Sequence, residues 1–471
     1  MNHGVRTTEN ATSVSTPVVA ECGVPYFIGT APIQSAEHPA TPNVPVMATS
    51  WDEAVEQLGY SDDWTNYTLC ECMYSQFKLF GCQPAVFLNV LDPTTNKEAV
   101  AASDLNVADH KVELPIAAIA DSALVVKAQG GSGDAYVQGT DYDLYYSGEH
   151  LYIELISTGA CYSASKLNVA YNKVKPSVIT ATEIAAGIEA VELCMPRLGI
   201  VPDILVAPGW SHNSAVAAAM DTKAGSVNGL FHGKSYIDAD PSTVTAYSGV
   251  QSYKTTNNLT GKDTVLCWPM LTLDTMKFHM SVQLAGLSAS VDAENGDPYE
   301  SPSNKNFKCD GTCLADGTEV NITHAQANHL NSLGCVTALN FLSSGWVAWG
   351  NYTACYPANT DVKDYILPVS RMFDWVENTL IRTFWSKVDK PMTRVMLDNV
   401  VDTANIWLNG LVGTGHLLGA RVELIDAENP LTNLMAGLIK LHVYLTPVSP
   451  AQEIHFVLEY DPQYVRDTFA S

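Results

Sequence analysis

Three short motifs hold residue types that could perform nucleophilic, metal or nucleotide chemistry. Gly209-Trp-Ser-His212 follows a predicted strand, where a serine nucleophile could lie, but a nucleophile elbow requires Gly-x-Ser-x-Gly and position 213 is Asn. His324 and His329 are five residues apart, so they do not share a helix face as the histidines of a HExxH zinc motif do. The run from Gly413 to Gly419 follows a predicted helix, whereas a dinucleotide loop follows a strand, so a helix C-cap explains it better.

These motifs favour structural roles over catalysis. We expect Ser211 or Asn213 to cap a helix N-terminus, because Ser and Asn side chains accept hydrogen bonds from the first backbone N–H groups of a helix. The sequence therefore predicts no enzyme activity, no cofactor and no metal site. The competing interpretation is a cytosolic α/β hydrolase that uses Ser211 and His212, which predicts loss of activity in Ser211→Ala.

The cysteines and the N-terminus indicate the compartment. Eleven cysteines occur without a CxxC pair, which is typical of reduced thiols in the cytosol; a Cys309–Cys313 disulfide is the open alternative. Residues 1–20 are polar and lack the apolar region of a secretory signal peptide. No stretch of about 18 apolar residues could span a membrane.

Charge excludes two classes of partner. Twenty-five Lys and Arg face fifty Asp and Glu, which gives a formal net charge of −25 over 471 residues. Nucleic-acid binding requires clustered positive charge, and a polybasic membrane anchor requires the same, so we expect neither. Only 16% of the residues are charged, against an average near 25%, so extensive coverage of the surface by other copies of the chain is one explanation.

The first half predicts an α/β layer and then a β-rich stretch. Val24–Ile28 and Ala85–Leu91 are apolar runs typical of buried strands, and two helices lie between them: one opened by the capping box Ser50–Glu53, the other spanning Leu69–Phe80. From about 94 to 175 the helical period disappears and short strands alternate with glycine turns. This pattern predicts a small all-β module inserted into the α/β layer.

The second half returns to alternating helices and strands and then changes again. Asp274–Asp292, Ser370–Trp385 and Pro391–Val412 are predicted as long helices. Three strands follow, Arg421–Ile425, Ile439–Leu445 and Ile454–Tyr460, and the last two have a clear period of two. The predicted fold class is thus α/β and α+β multidomain: a layered α/β core, an inserted all-β module, a C-terminal helix-plus-sheet domain and extended terminal arms.

We predict six segments from these changes of pattern. They are an N-terminal extended arm (1–22), the first part of the α/β core (23–92), the inserted β-rich domain (93–178), a second α/β part (179–360), a C-terminal domain (361–451) and a C-terminal strand and tail (452–471). Both terminal segments are β-prone and lack an obvious local partner. They could add strands to the sheet of a neighbouring subunit, or they could be frayed chain ends.

Several motifs resemble contractile tail sheath proteins of phages and phage-like particles, most closely those of Gram-positive bacteria. The resemblance runs from about 22 to 471 and is carried, in order, by Gly23–Ala31, Ser50–Ala54, Gly199–His212, Ser301–Lys305, Ile406–Glu423 and Leu445–Asp461. It implies a structural subunit that polymerises helically around an inner tube. Contraction from a metastable extended state would drive the tube through a bacterial envelope without ATP.

The resemblance also implies partners and assembly residues. The partners are many copies of the chain, an inner tube protein, and baseplate and terminator proteins, with assembly in the bacterial cytoplasm before the tail or tail-like particle is released. The inserted domain would face outward and the C-terminal domain the tube. A static polymerising shell is a further alternative. The residues expected in inter-subunit strands are Val14, Val18 and Val19 in the arm, Ile439, Leu441, Val443 and Leu445 in an acceptor strand, and Ile454, Phe456, Leu458 and Tyr460 in the tail.

Overall fold

A computed structural model describes residues 16–342 and 345–470 of the chain. Strands and α-helices are numbered in chain order. The strands are β1 (Pro25–Gly29), β2 (Val46–Ala48), β3 (Ala85–Asn89), β4 (Lys97–Asn106), β5 (Lys111–Pro115), β6 (Ala118–Ile119), β7 (Val125–Ala128), β8 (Tyr142–Ser147), β9 (His150–Leu155), β10 (Lys166–Val174), β11 (Ile204–Val206), β12 (Lys234–Asp238), β13 (Thr264–Cys267), β14 (Met270–Leu273), β15 (Met276–Phe278), β16 (Gly311–Cys313), β17 (Cys335–Leu339), β18 (Val347–Trp349), β19 (Leu417–Glu423) and β20 (His442–Pro447).

The helices alternate with these strands through most of the chain. They are α1 (Trp51–Leu58), α2 (Thr68–Met73), α3 (Ala181–Glu189), α4 (Cys194–Leu198), α5 (Ser214–Ala224), α6 (Val250–Thr256), α7 (Met280–Asn295), α8 (His324–Ser332), α9 (Val362–Tyr365), α10 (Leu367–Phe384), α11 (Arg394–Thr414), α12 (Leu431–Met435) and α13 (Gln463–Phe469). A π-helix, Tyr74–Phe80, continues α2. In the described part of the chain, no helix is both long and apolar enough to cross a membrane.

An eight-stranded sheet forms the centre, in the order β18-β17-β13-β12-β11-β1-β3-β2. Its six inner strands are parallel, and the two edge strands run antiparallel to them. The strands β1 and β3 are buried along their whole length, as expected when helices cover both faces of a parallel sheet. One face packs on α1, α2 and α7, and the other on α3, α5, α6 and α8. The predicted mixed α/β class is therefore confirmed.

Between β4 and β10 the chain contains strands and one 3-10 turn at Gln129–Gly131. They form one sheet around β10, in which β4, β6 and β7 all pair with that strand, and a second sheet in the order β5-β9-β8. The side chains of Val112, Leu151, Ile153 and Val169 are buried between these sheets. This stretch thus has an apolar core of its own, although the domain boundaries at 93 and 178 stay a prediction.

The predicted helix Asp274–Asp292 is wrong over its first turn and a half. There, β14 and β15 form a hairpin, and Asp274 adopts φ 52° in its turn. Apolar residues on both arms, Leu271 and Phe278, are buried against the sheet, and an apolar spacing over so short a run does not separate a strand from a helix. The helix α7 begins only at Met280. Its C-cap is Gly296, which adopts the left-handed conformation.

The C-terminal region packs two long helices against a two-stranded sheet, β19-β20. The helices α10 and α11 were both predicted, within a few residues of their bounds. The acceptor strand is shifted: β20 spans His442–Pro447 rather than Ile439–Leu445, because Lys440 is held outside the ladder by Asn429, whose side chain bonds its N–H and C=O at 2.8 Å each.

One ion pair joins helix α2 to the start of α7. The carboxylate of Glu71 accepts a hydrogen bond from the backbone N–H of His279, and its other oxygen lies 2.9 Å from His279 Nδ1. Burial alone lowers the pKa of His279, but the Glu71 carboxylate outweighs it, so that the pKa rises from 6.5 to about 9. His279 is therefore protonated at neutral pH.

This pair predicts a loss of stability in alkali. A pKa that is raised on folding contributes stability that is fully present below about pH 6.5 and is lost as the pH rises through 9. We expect the free energy of unfolding, measured in urea, to fall by up to about 3 kcal/mol between pH 6.5 and 9.5. In Glu71→Gln the free energy of unfolding should depend less on pH over this range. An unchanged pH dependence would mean that other groups cause it.

Candidate assembly interface

The segment 16–22 lies along helix α10 of its own chain. The backbone N–H of Val18 donates to Thr383 Oγ1 at 2.9 Å, and that of Ala20 donates to Thr379 Oγ1 at 3.0 Å. Trp375 Nε1 donates in turn to the carbonyl of Ala20 at 2.9 Å. Because Trp375, Thr379 and Thr383 are four residues apart, they lie on one face of α10. Their side chains form the hydrogen bonds that a neighbouring strand would otherwise form with the backbone of this segment.

A buried ionic cluster lies where this segment meets β1. The Asp203 carboxylate, at the start of β11, accepts the backbone N–H groups of Gly23 at 3.1 Å and Val24 at 2.7 Å. Arg371 of α10 donates to Asp203 at 2.9 Å and to Asp292 of α7 at 3.0 Å. Burial raises the pKa of Asp292 above its usual range even though Arg371 lowers it. Through these two carboxylates, Arg371 links α10 to α7, to the start of β11 and to the backbone at Gly23 and Val24.

A second buried cation lies on the same face of α10. Lys234 Nζ is 2.7 Å from Asp263 and 2.7 Å from Asp374, and its side chain is 1% exposed. One turn further along, the side chain of Asn378 bonds both backbone groups of His232. Arg371, Asp374 and Asn378 follow the i, i+3, i+7 spacing of one helix face, so α10 is attached to the sheet by polar contacts along about two turns.

The sheet β19-β20 has one occupied and one open edge. The side-chain amide of Asn405, on α11, accepts the N–H of Val422 at 2.8 Å and donates to its carbonyl at 3.1 Å, which occupies the outer edge of β19 at that residue. Val422 faces Val443, so these two residues form a non-hydrogen-bonded pair, and the backbone groups of Val443 point away from β19. Across residues 16–342 and 345–470, no backbone group pairs with that outer edge of β20.

The tail beyond β20 is exposed and apolar. Its residues Ile454, Phe456, Leu458 and Tyr460 have between 72% and 94% of their surface exposed. Residues 454–460 form no strand and no hydrogen bond with the rest of the described chain, while just before them Gln452 accepts a hydrogen bond from Tyr352 at 2.6 Å. So many exposed apolar side chains mark a surface that another molecule covers.

The predicted assembly residues fall into three groups. Val14 lies outside the described residues. Val18 and Val19 are about half exposed and lie on α10 without strand structure. In the acceptor region, Val443 and Leu445 belong to β20, whereas Ile439 and Leu441 precede it and are partly buried. The tail residues Ile454, Phe456, Leu458 and Tyr460 are together on one extended, unpaired segment.

The motifs that suggested chemistry have structural roles. Asn213 caps α5, as one of the two predicted alternatives requires. Ser211 is 1% exposed and its Oγ accepts the backbone N–H of Asp238 at 3.1 Å, while His212 is exposed. Gly415 ends α11 with φ 87°, as predicted for a C-cap. No Ser–His hydrogen bond forms at this site within the described residues, so the geometry does not favour the hydrolase interpretation.

Cysteines and potential metal ligands add no further site. All eleven cysteines are free, so the alternative of a Cys309–Cys313 disulfide is wrong for this structure. Among residues 16–342 and 345–470, no three His, Cys, Asp or Glu side chains lie close enough together to hold a metal ion.

Sequence reasoning missed the cluster of Asp203, Arg371 and Asp292. These residues are up to 168 positions apart, and although Asp203 lies within the Gly199–His212 motif, nothing in that motif indicates a partner for its carboxylate. One signal was present: Arg371 lies four residues after the buried Leu367, on the same face of α10, where an unpaired charge would be unfavourable.

The chain is similar in sequence to phage and prophage tail sheath proteins. The chain is 26% identical over 484 aligned positions to the tail sheath protein of Burkholderia phage BcepMu, covering 98% of this chain and 97% of that protein. It is 26% identical to a putative prophage major tail sheath protein of Pseudomonas aeruginosa over 61% of this chain and 72% of the relative. No protein-family model matches the chain.

Solved structures agree on the fold. The sheath complex of an extracellular contractile injection system in its contracted state, PVC, matches with a TM-score of 0.61 at 16% identity, covering 98% of this chain and 99% of that one. The sheath tail protein Lin1278 of Listeria innocua matches with a TM-score of 0.53 at 12% identity, covering 92% and 96%. The fold is that of contractile sheath subunits. The chain is a homologue of phage tail sheath proteins; the likeness to the Gram-positive branch stays a prediction.

The two residues of the hydrolase interpretation should differ in how much they contribute to stability. Ser211→Ala removes the acceptor of a buried N–H, so we expect the free energy of unfolding to fall by about 1–3 kcal/mol. His212→Ala, at an exposed position, should change it by less than about 0.5 kcal/mol. Urea denaturation measures both, and a fluorophosphonate probe should label neither variant nor the wild type. Labelling of the wild type that Ser211→Ala abolishes would restore the hydrolase interpretation.

Proposed function

We propose that this chain is the structural subunit of a contractile tail sheath, linked to its neighbours by strand addition. The observation that carries this proposal is the combination, in one chain, of an open strand edge on β20 and an exposed apolar tail at 454–460. Main-chain hydrogen bonds between the two provide affinity, and alternate side chains provide specificity. The similarity to phage tail sheath proteins and the fold shared with solved sheath structures support the sheath function.

Such a contact produces an open polymer. The tail of one subunit binds the edge of the next, and a head-to-tail contact that does not close continues as a helix. Each added main-chain hydrogen bond contributes about 0.5–1.5 kcal/mol, so a strand of about five residues links neighbours without fixing their relative orientation. Extended and contracted lattices can then be two discrete packings of the same linked subunits.

The proposal also includes the wider assembly that the resemblance to sheath proteins implies. The sheath subunits surround an inner tube protein, join a baseplate and a terminator protein, and bind no nucleic acid and no membrane directly. Contraction from a metastable extended state drives the tube through a bacterial envelope. The subunit needs no cofactor and catalyses no reaction, and it assembles in the cytoplasm of the producing bacterium.

Electron microscopy of the purified, tag-free chain tests this function. Hollow tubes or stacked rings with a regular lattice are expected at high protein concentration. Discrete small oligomers at every salt concentration would contradict the proposal. Residues 1–15, which include Val14, can be removed in the same assay, and the shortened chain should stay folded but form fewer or shorter tubes.

A proline in β20 tests the acceptor edge. The N–H of Val443 points to the open edge, whereas Tyr444, opposite Arg421, is expected to bond to β19. Val443→Pro should therefore abolish tube formation and leave a cooperatively unfolding monomer, because a strand edge without its N–H cannot pair. The matched control, Tyr444→Pro, interrupts the internal ladder and should destabilise the monomer more. Normal tubes from Val443→Pro would exclude this edge.

Serine substitutions in the tail test the donor strand. Phe456→Ser with Leu458→Ser removes two exposed apolar side chains, so the stability of the monomer should change by less than about 0.5 kcal/mol while tube formation is lost. His455→Ser with Glu459→Ser alters the other face of the same segment and should retain tubes. Sedimentation and negative-stain microscopy measure tube formation by both double variants. If the two assembled equally, binding through one face of the tail would be contradicted.

A further inference from the structure

Gly23 has the features of a hinge between the N-terminal segment and the central sheet. It lies directly before Val24 and β1, and its φ of 66° favours glycine. Its surroundings oppose that role. A Cβ at this position would lie 2.8 Å from the Cα of Ala289 and 3.0 Å from the carboxylate of Asp292. Close packing against α7 therefore requires a glycine here, which is a structural reason for the residue that involves no hinge motion.

The backbone on both sides of Gly23 is bonded to its own subunit. Four N–H groups, those of Val18, Ala20, Gly23 and Val24, donate to side chains of α10 or to Asp203. The carbonyl of Ala20 accepts a hydrogen bond from the indole of Trp375. A segment that contributed these groups to a neighbour's sheet would first have to break all five bonds.

The side chains that hold the segment are themselves buried and fixed. Thr379 is fully buried and Asp203 is tied to Arg371, which is 3% exposed. Glu21 forms a further ion pair with Arg382. Detaching the segment would leave buried donors and acceptors, including a carboxylate, without partners, which is far more unfavourable than breaking exposed hydrogen bonds. This anchorage ends at Val18, since Pro17 has no N–H and Thr16 is exposed.

From this geometry we infer that Val18–Val24 is a permanent anchor, held by its own subunit in the free, extended and contracted states. The inference rests on the proposed sheath function. It follows that Val18 and Val19 are not part of the strand that a neighbour captures, and that any reorientation of the N-terminal arm occurs before Val18. The pivot is not Gly23.

Hydrogen exchange measured by mass spectrometry on peptides covering 16–26 tests the anchor in wild-type protein. The free subunit, the extended sheath and the contracted sheath are compared. The amides of Val18, Ala20, Gly23 and Val24 should stay protected in all three, with rates that agree within about threefold. A rise of about tenfold or more in any one state overturns the inference. Absence of any sheath would contradict the proposed function, while the free subunit still tests the anchor.

A double variant tests which side chains provide the protection. Thr379→Val with Thr383→Val keeps the shape of α10 but removes the acceptors of Ala20 and Val18. Exchange at those two amides should rise about tenfold in the free subunit while Gly23 and Val24 stay protected by Asp203. The control is Thr414→Val on α11, where the hydroxyl bonds Leu411 within its own helix. Unchanged exchange in the double variant would refute this role of α10.

Discussion

The carboxylate of Asp203 is the point on which the arrangement of the subunit depends. It accepts two backbone N–H groups at the entry to β1 and also pairs with Arg371, which continues to Asp292. A buried charge is tolerated only when it is paired and hydrogen-bonded, so none of these groups can separate alone without leaving another unpaired. The segment before β1, the central sheet, α7 and α10 consequently behave as one unit.

This constraint separates the fixed parts of the chain from those free to bind. The polar contacts of Lys234, Asp374 and Asn378 extend the attachment of α10 over about two turns, and Asn405 of α11 occupies the outer edge of β19 at Val422. Within the described residues, the edge of β20 and the tail at 454–460 are left with unused hydrogen-bonding groups and exposed apolar side chains. A stiff body with complementary, unpaired strand elements is suited to polymerise without folding again.

Much of this fold could be predicted from local sequence, because buried strands and long amphipathic helices have clear patterns. The strand β1 and the helices α10 and α11 were predicted nearly to their bounds. The hairpin of β14 and β15 was not, since its short apolar run fits both periods. The Asp203–Arg371 pair could not be predicted, because it joins residues 168 positions apart and local patterns carry no information on such contacts. The period of two in Ile454–Tyr460 predicts a strand, whereas the structure has none there; under the proposed function its partner belongs to a neighbouring subunit.

The net charge of −25 limits how such subunits can associate. Two of the few cations, Arg371 and Lys234, are buried in pairs with carboxylates of their own chain, so they cannot offset charge on a neighbour. Like-charged surfaces repel at distances up to about 10 Å at moderate ionic strength. Main-chain hydrogen bonds and apolar side chains are uncharged, and once formed they are largely insensitive to this repulsion. Strand addition, as proposed for this chain, is therefore a mode of association well suited to an acidic subunit. In such an assembly, the repulsion that remains between linked subunits would act against compact packing until other contacts compensated for it.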